Sequence, residues 1–550
     1  MKLKIVTFLV SAVSLVAGPA VLAAERPNIL LIVGDDIGYA DLGCFGSEIR
    51  TPNLDALAKR GLRATSFAAG PTCSPTRSML LSGVDHHVAG LGNMHEHLGP
   101  KQQGQPGYEG HLNARVAGIA QVMRDAGYHT YMAGKWHLGE EPQNWPAAQG
   151  FERDFTLMQG GGSNWSDMSY PNPAHPHLTF TLNGQPLEKL PDDHFSTQAF
   201  SDFIIKCVDE HKDDTKPFFT YLSYQACHSP FAVPDDWRDK YKGAYDQGYE
   251  AVRAARIAKM KELGIIARDA TAFPRLPDIP AWDTLTPEQQ KLSARKMEIY
   301  AAMMENMDFH IGRVLDHLKQ LGKLDNTLVL FMPDNGAEPL ELAALVASVD
   351  PKMAQWLEKN WDTRPENWGR PGSLCDYGAA WAQVGSGPFR MFKHYVTEGG
   401  IRVPWIAHWP AVIAPGGVSA QQCMTMDWTT TVLDAGGAAP DPAYPLDGVS
   451  LLPVLREPHR PFPRTLHWRM NHRGQRALRD GDWKYLRVDG NDYLFNIPAD
   501  ARERANLAPR EPARLAAMRT AWDTWNATLP AIPADATVSL GYSAADMPQR

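Results

Sequence analysis

The residues of this chain that could do chemistry together follow four segments with the continuous apolar pattern of buried strands. The polar side chains at the ends of these segments are Asp35 and Asp36, Lys135 and His137, His228, and Asp334 and Asn335. Each group alone has a structural explanation, such as a helix cap, a turn or a packed histidine. In an open α/β sheet, however, ligands bind beyond the carboxyl ends of the strands. We therefore expect the four groups to meet at one sheet edge.

The types of these side chains indicate a metal and an anion. Three carboxylates and one amide oxygen suit Ca²⁺ or Mg²⁺ better than zinc, which prefers cysteine and histidine. The surrounding side chains are cationic or titratable, and Arg77 and Lys393 extend the set. A divalent cation beside several basic groups describes a pocket in which a tetrahedral oxyanion, sulfate or phosphate, is transferred.

A cysteine lies at the predicted start of a helix in "PTCSPTRSMLLSG". Pro75 suits the first turn of a helix, and Gly83 can end it. Cys73 is then at the helix N-terminus, where anions are favoured, and Arg77 lies one turn further on the same face. The alternative is a buried cysteine beside an ordinary helix start.

Strand and helix patterns alternate through the first three quarters of the chain and predict a large, mostly parallel sheet with helices on both faces. The last quarter contains "TLHWRM", "QRALRDGDWKYLRV" and "DYLFNI", followed by the helical "EPARLAAMRTAWDTWNATL". These patterns predict a small antiparallel sheet covered by one helix. We place the catalytic domain at 24–455 and the C-terminal α+β domain at 456–550.

Composition limits the class of partner and the compartment. A net charge of −8 argues against nucleic acid as a partner. Residues 1–23 have the basic start, short apolar run and small-residue cleavage site of a signal peptide. We therefore expect an exported protein, periplasmic or secreted, with no membrane association after cleavage. The six cysteines match no small disulfide framework, so we expect a core that does not depend on disulfides.

The pentapeptide "CSPTR" resembles the C-x-P-x-R signature of type I sulfatases, whose cysteine is oxidised to formylglycine before folding. Further segments match that family in the same order: "VGDDIGYADLGCFG", "TPNLDALAKRG", "AGKWHLG", "PDNGAE" and "EGGIRVP". The similarity covers essentially the whole mature chain and is strongest to bacterial arylsulfatases. It implies the fold of the alkaline-phosphatase superfamily.

The resemblance also implies a mechanism. A maturation enzyme converts Cys73 to formylglycine; one hydroxyl of its hydrate attacks the sulfur of a sulfate monoester, and the other expels sulfate. A thiol has no second hydroxyl with which to release the product. Ca²⁺ is implied at Asp35, Asp36, Asp334 and Asn335, touching a diol oxygen at position 73. The resemblance further implies that Arg77 and His137 hold or deprotonate the diol and that Lys135 binds the sulfate. His228 and Lys393 would bind the ester and assist the leaving group. Asp334 is a candidate base for the attacking hydroxyl.

Two positions depart from the family pattern, because Thr76 and Val84 stand where serine and arginine are frequent. We expect His86, His87, His95 and His97 to form a loop near the pocket rim, and the charged segment 235–291 to cover the sheet. Two other functions stay open. One is a phosphonate or phosphate ester hydrolase on the same scaffold; the other is an oxyanion-binding protein without turnover, if Cys73 is not converted.

Overall fold

A computed structural model describes residues 26–534, so the predicted signal peptide lies outside the described part. The strands within 26–534 are β1 Asn28–Gly34, β2 Leu62–Ala64, β3 Phe67–Ala68, β4 His129–Lys135, β5 Arg153–Leu157, β6 Phe180–Leu182, β7 Gln185–Leu187, β8 Phe218–Ser223, β9 Thr327–Pro333, β10 Trp405–His408, β11 Gly417–Ser419, β12 Cys423–Met424, β13 Thr465–Met470, β14 Gln475–Asp480, β15 Trp483–Val488 and β16 Asn491–Asn496. The α-helices of the same part are α1 Pro52–Arg60, α2 Cys73–Ser82, α3 Ile119–Asp125, α4 Ser196–Glu210, α5 Tyr249–Glu262, α6 Pro287–Gln320, α7 Leu342–Val349, α8 Pro351–Asn360, α9 Gly378–Gly385, α10 Glu398–Ile401, α11 Asp427–Gly436, α12 Leu452–Arg456 and α13 Pro512–Asn526.

One ten-stranded sheet organises the chain, in the order β11-β2-β10-β9-β1-β8-β4-β5-β6-β7. The five neighbouring strands from β9 to β5 are parallel. The strands that flank this centre are joined to it by antiparallel pairs, β10 with β9 and β6 with β5. The predicted α/β fold class is confirmed, with a mixed sheet that is parallel at its centre.

Helices cover both faces of the sheet because the central strands are apolar on both sides. Along β1, Leu30 and Ile32 enter one hydrophobic cluster, while Ile29 and Leu31 enter the other. This division follows from the two-residue period of a strand. The apolar run "NILLIVG" is buried throughout, as expected for a parallel strand between two helical layers.

The longest helix, α6, has 34 residues and is longer than its apolar periodicity alone predicts. It begins at Pro287, and Thr286 and Gln289 form a capping box there. This box satisfies two backbone N–H groups that a helix start otherwise leaves without partners. The polar first turns of α6 are therefore helical although they contribute little to the core.

The C-terminal strands β13 to β16 form a separate antiparallel sheet in sequential order. Helix α13 packs on it through Met518 and Trp522. Both the sheet and the helix agree with the predicted patterns, because the "DG" turns and the alternating residues act locally. A Gln475 side chain at the start of β14 reaches back into the larger layer, where it bonds to backbone groups of residues 394 and 396.

The charged segment 235–291 contributes Tyr249, Val252 and Met260 to the hydrophobic cluster that contains Leu30 and Ile32 of β1, and its helix α5 packs against α9. Arg256 of α5 is buried and pairs with Asp41 and Glu48. All six cysteines lie in the described part, and all are buried and unpaired, which agrees with a core independent of disulfides. Between residues 26 and 534 no helix combines the length and apolar character that crossing a membrane requires.

Candidate active site

Four neighbouring parallel strands bring the predicted groups to one edge. The order β9-β1-β8-β4 places their carboxyl ends side by side. Gly34 at the end of β1 pairs with Pro333 at the end of β9, so Asp35 and Asp334 follow at adjacent positions. Asp36 has a φ of 61°, a left-handed conformation that turns the chain sharply at this edge.

Cys73 is the first residue of α2, as the sequence predicts. Its side chain is buried, and its Sγ lies 3.6 Å from Asp35 Oδ1 and 3.9 Å from Asp36 Oδ1. Burial, with the nearby Asp334 carboxylate as the next cause, raises the pKa of the Cys73 thiol well above its ordinary value. The unmodified residue is therefore a neutral thiol and a poor nucleophile.

The acidic groups around Cys73 form a cluster with oxygen atoms left without hydrogen bonds. Single ligand atoms of Asp35, Asp36, Cys73 and Asp334 all lie within 4.8 Å of one another. Asp36 Oδ2 and Asn335 Oδ1 are buried and accept no hydrogen bond from the described protein. Buried oxygen atoms without donors are costly unless a cation binds them. This donor set fits a hard divalent cation such as Ca²⁺.

Three cationic side chains surround this cluster. Lys135 Nζ donates to Asp35 Oδ2 at 2.6 Å, and Arg77 Nε donates to Asp334 Oδ2 at 2.9 Å. Lys393 Nζ lies 2.7 Å from Asp36 Oδ1. Burial alone would lower the pKa of Lys135 and of Lys393, but the Asp35 carboxylate beside Lys135 and the Asp36 carboxylate beside Lys393 outweigh it, and both pKa values are raised. All three side chains are therefore charged at neutral pH.

Two histidines from the predicted set line the same cavity as Cys73. His228 Nε2 lies 3.5 Å from Asp36 Oδ2, and its Nδ1 faces the carbonyl oxygen of Ser229. Burial lowers the pKa of His228 to about 4 and also lowers that of His137. His137 Nδ1 is buried and has no hydrogen-bond partner in the described protein. Both rings are neutral at pH 7.

Two acidic residues of the cavity were not singled out in the sequence. Glu96 accepts a hydrogen bond from His137 Nε2 at 3.1 Å, and Glu338 Oε2 lies 2.8 Å from Lys393 Nζ. Glu338 is the last residue of "PDNGAE", two positions after Gly336, and could have been found from that position. Glu96 lies between two histidines in a 3₁₀ turn, His95–His97, and no local signal connects it with His137.

The four histidines predicted at the rim lie in different places, and His95 is exposed and is not among the residues that line the cavity. His97 lines the cavity, as expected. His86 and His87 are instead buried beside Asp85, so the expectation of a rim position is wrong for them. His87 Nδ1 bonds to Asp85 Oδ1 at 2.9 Å, and its Nε2 accepts from Arg469. These ring nitrogens are occupied within the protein because the segment packs against the C-terminal sheet.

The loop that carries Lys393 is held from the C-terminal sheet. Gln475 is fully buried; its Nε2 donates to the His394 carbonyl oxygen at 2.8 Å, and its Oε1 accepts from Val396 N at 2.9 Å. His394 has a φ of 74°, a conformation that costs about 1–3 kcal/mol and persists only when its surroundings enforce it. The clamp made by Gln475 is part of those surroundings.

The acidic groups at the centre of the site repel one another. Burial, with the neighbouring Asp334 carboxylate as the next cause, raises the pKa of Asp35 to about 7. A divalent cation among these carboxylates would favour their ionised forms and would offset the negative charge that repels a sulfate ester.

Comparisons with known proteins identify relatives of this chain. A sequence model of the Sulfatase family matches residues 27–438. An uncharacterised sulfatase of Schizosaccharomyces pombe is 38% identical over 529 residues, which cover 92% of this chain and 94% of the relative. An arylsulfatase of Klebsiella aerogenes is 37% identical over 460 residues, 82% of this chain and 97% of the relative.

Among solved structures, the crystal structure of Ps i-CgsB in complex with k-i-k-neocarrahexaose superposes with a TM-score of 0.67. The superposition covers 94% of this chain and 96% of the Ps i-CgsB chain, with 23% sequence identity. At this identity the similarity supports the fold alone. The structure thus has the alkaline-phosphatase-like fold that the sequence resemblance implied. The extent of the family match and the level of identity show that this chain belongs to the sulfatase family and is a sulfuric ester hydrolase.

Proposed function

We propose that this sulfatase hydrolyses sulfate monoesters, aryl sulfates among them, with a formylglycine at position 73 as nucleophile and one Ca²⁺ as cofactor. The observation that carries the proposal is the position of Cys73 at the start of α2, with its Sγ 3.6 Å from Asp35 Oδ1 inside a ring of charged groups. The resemblance of "CSPTR" to the maturation signature supports the modification.

Asp35, Asp36, Asp334 and Asn335 would hold the cation, which supplies positive charge where negative charge develops. Formylglycine supplies, as its hydrate, one hydroxyl for attack and another for release of sulfate. His137 Nδ1, free of protein partners, takes up or returns a proton at position 73. Glu96 fixes the opposite ring nitrogen of His137.

Sulfate is bound and the leaving group assisted by the other basic residues. Lys135 neutralises charge on the sulfate oxygens, and Arg77 holds Asp334 in its ionised form. Lys393, charged at neutral pH, stabilises the negative charge that develops on the leaving oxygen, with His228 beside it. A sulfate monoester carries one negative charge and a phosphate monoester nearly two. A site with a single divalent metal ion therefore favours sulfate.

Further parts of the proposal concern biogenesis. A maturation enzyme of the host acts on Cys73, the signal peptide 1–23 is removed on export to the periplasm or medium, and the mature chain divides into 24–455 and 456–550. N-terminal sequencing of the secreted protein tests the cleavage site. Limited proteolysis that cuts near residue 456 and leaves two stable fragments supports the boundary.

The first experiment is peptide mass spectrometry of the fragment containing Cys73, from protein made in a host with the maturation enzyme. Conversion lowers the mass by about 18 Da, because CH₂SH becomes CHO. Converted protein is then assayed with p-nitrophenyl sulfate and with a phenyl phosphonate ester, before and after chelation. C73A and chelated protein are expected to lose sulfatase activity. An unconverted thiol in active protein would contradict the mechanism, and a preference for the phosphonate ester would favour the alternative hydrolase.

A further inference from the structure

The cavity in front of Cys73 is lined by apolar as well as charged side chains. Its volume is about 490 Å³. A region of this lining contains apolar side chains from three separate segments of the chain: Met94, Tyr170, Pro171, Pro173, Leu340, Leu342, Leu345 and Met353. These apolar side chains are available to a leaving group, whereas the reacting atoms lie among charged groups.

Three of these eight residues of the cavity wall, Leu342, Leu345 and Met353, belong to the hairpin of α7 and α8. The hairpin has a small hydrophobic cluster of its own, formed by Val346, Leu357, Trp361 and Leu374 and separate from the clusters of the main sheet. Met353 packs against that cluster and also lines the cavity, as does Leu342. The wall is thus supported from behind and does not depend on a ligand for its shape.

Three polar side chains of the lining already bond within the protein. Asp376 Oδ2 accepts from the backbone N–H of Leu342 at 2.8 Å. Asn172 Oδ1 accepts from Ala174 N, and Ser229 Oγ donates to the Cys375 carbonyl oxygen. A sugar leaving group would need partners for several hydroxyl groups, and buried hydroxyls without partners are costly. This wall suits an apolar leaving group better.

The size of the cavity adds a second constraint. At about 30 Å³ for each water-sized group, the volume corresponds to about sixteen such groups. Phenyl sulfate has about eleven non-hydrogen atoms and would leave part of the cavity empty. Apolar surface is stabilised when it is removed from water, so a larger apolar group gains more from this site.

We propose that the leaving group is apolar and larger than a single aromatic ring, and that Leu345 and Met353 select it. This inference rests on the proposed sulfate-ester hydrolysis and specifies its substrate class. Alkyl-substituted phenols and long-chain alcohols share the required chemistry. Both present a sulfate to the charged end of the cavity and a hydrocarbon group to the hairpin of α7 and α8.

The test is a series of 4-alkylphenyl sulfates with hydrogen, ethyl, butyl and hexyl substituents. The alkyl group hardly changes the leaving-group pKa, so differences in kcat/KM report binding of the hydrocarbon. Each buried methylene is expected to raise kcat/KM by up to about fourfold, until the cavity is full. A parallel series of n-alkyl sulfates below their micelle concentrations distinguishes chain alcohols from phenols.

The double variant L345N/M353Q is expected to reduce the increase per methylene to less than about 1.5-fold, since amide groups replace the apolar surface. A344S on the exposed face of α7 is the matched control and should keep the wild-type slope. Using the ratio of hexylphenyl to phenyl sulfate cancels any general loss of activity. A flat series with wild-type enzyme, an unchanged slope in the double variant, or faster hydrolysis of a sulfated monosaccharide would overturn this inference alone. Failure to hydrolyse every sulfate ester would overturn the proposed function as well.

Discussion

Replacing Gln475 is expected to weaken catalysis although this residue belongs to the C-terminal sheet and does not line the cavity. Gln475→Leu removes a donor to the His394 carbonyl oxygen and an acceptor for the Val396 N–H. Both backbone groups then lose the hydrogen bond to this side chain, at about 1–3 kcal/mol each. The free energy of unfolding should therefore fall by about 2–6 kcal/mol, measured by urea titration.

The same variant should lower activity beyond its effect on stability. Without the clamp, the left-handed conformation at His394 can relax, and Lys393 Nζ moves from its position 2.7 Å from Asp36 Oδ1. A displacement of about 1 Å in a positioning group can cost about 10²-fold in rate. We expect kcat/KM for p-nitrophenyl sulfate to fall about 10- to 100-fold at a temperature where the variant is folded.

Two further variants serve as comparisons for Gln475→Leu. Gln475→Glu keeps an acceptor for Val396 N but loses the donor, so it should be affected in both measurements, with the activity loss again exceeding what unfolding explains. Gln247→Leu changes an exposed glutamine whose Nε2 bonds to the Ala244 carbonyl oxygen, and should stay within about 0.5 kcal/mol of wild type. If Gln475→Leu is destabilised but retains full kcat/KM, the Lys393 loop is positioned without the C-terminal sheet and the reasoning is wrong.

Two other predictions concern a positioning carboxylate and a buried histidine. Glu96→Gln should lower kcat about tenfold with less than a twofold change in KM, because His137 loses its anionic partner. Glu141→Gln, at an exposed position, is the control, and equal kinetics of both variants would contradict the role. His194 is packed between Phe155 and Phe180, and burial lowers its pKa to about 4. Between about pH 4 and 6.5 the native state therefore binds fewer protons than the unfolded state. Stability therefore falls as pH falls through this window. Between pH 7.5 and 5.0 the unfolding free energy of His194→Gln should decrease by about 2 kcal/mol less than that of wild type, and identical decreases would refute the assignment.

The parts of the fold that the sequence predicts are those determined by local patterns. Buried strands such as β1 and β9 have continuous apolar runs, and the polar residues directly after them mark the sheet edge. The start of α2 at Cys73 follows from Pro75 in its first turn. Because parallel strands place their carboxyl ends together, these local signals were sufficient to bring together the predicted residues that follow β1, β4, β8 and β9.

Other features depend on distant contacts and could not be predicted in this way. Glu96 becomes part of the site only through His137, 41 positions away. The flanking strands β2 and β10 have three and four residues, too few for a clear pattern, and their antiparallel pairing depends on the tertiary fold. Helix α7 is apolar in sequence, but the place of α7 and α8 at the cavity follows from packing alone.

The burial of Cys73 has a consequence for how active protein accumulates. With its side chain 1% exposed at the base of the cavity, this residue cannot be reached by another enzyme once the sheet has closed around it. Folding and the proposed conversion therefore compete for the same newly made chain. A chain that folds first keeps its unmodified cysteine. The fraction of converted molecules then depends on the rate of conversion relative to the rate of folding, so slower folding or more maturation enzyme would increase it. A rapidly folding variant would accumulate as a stable but inactive protein.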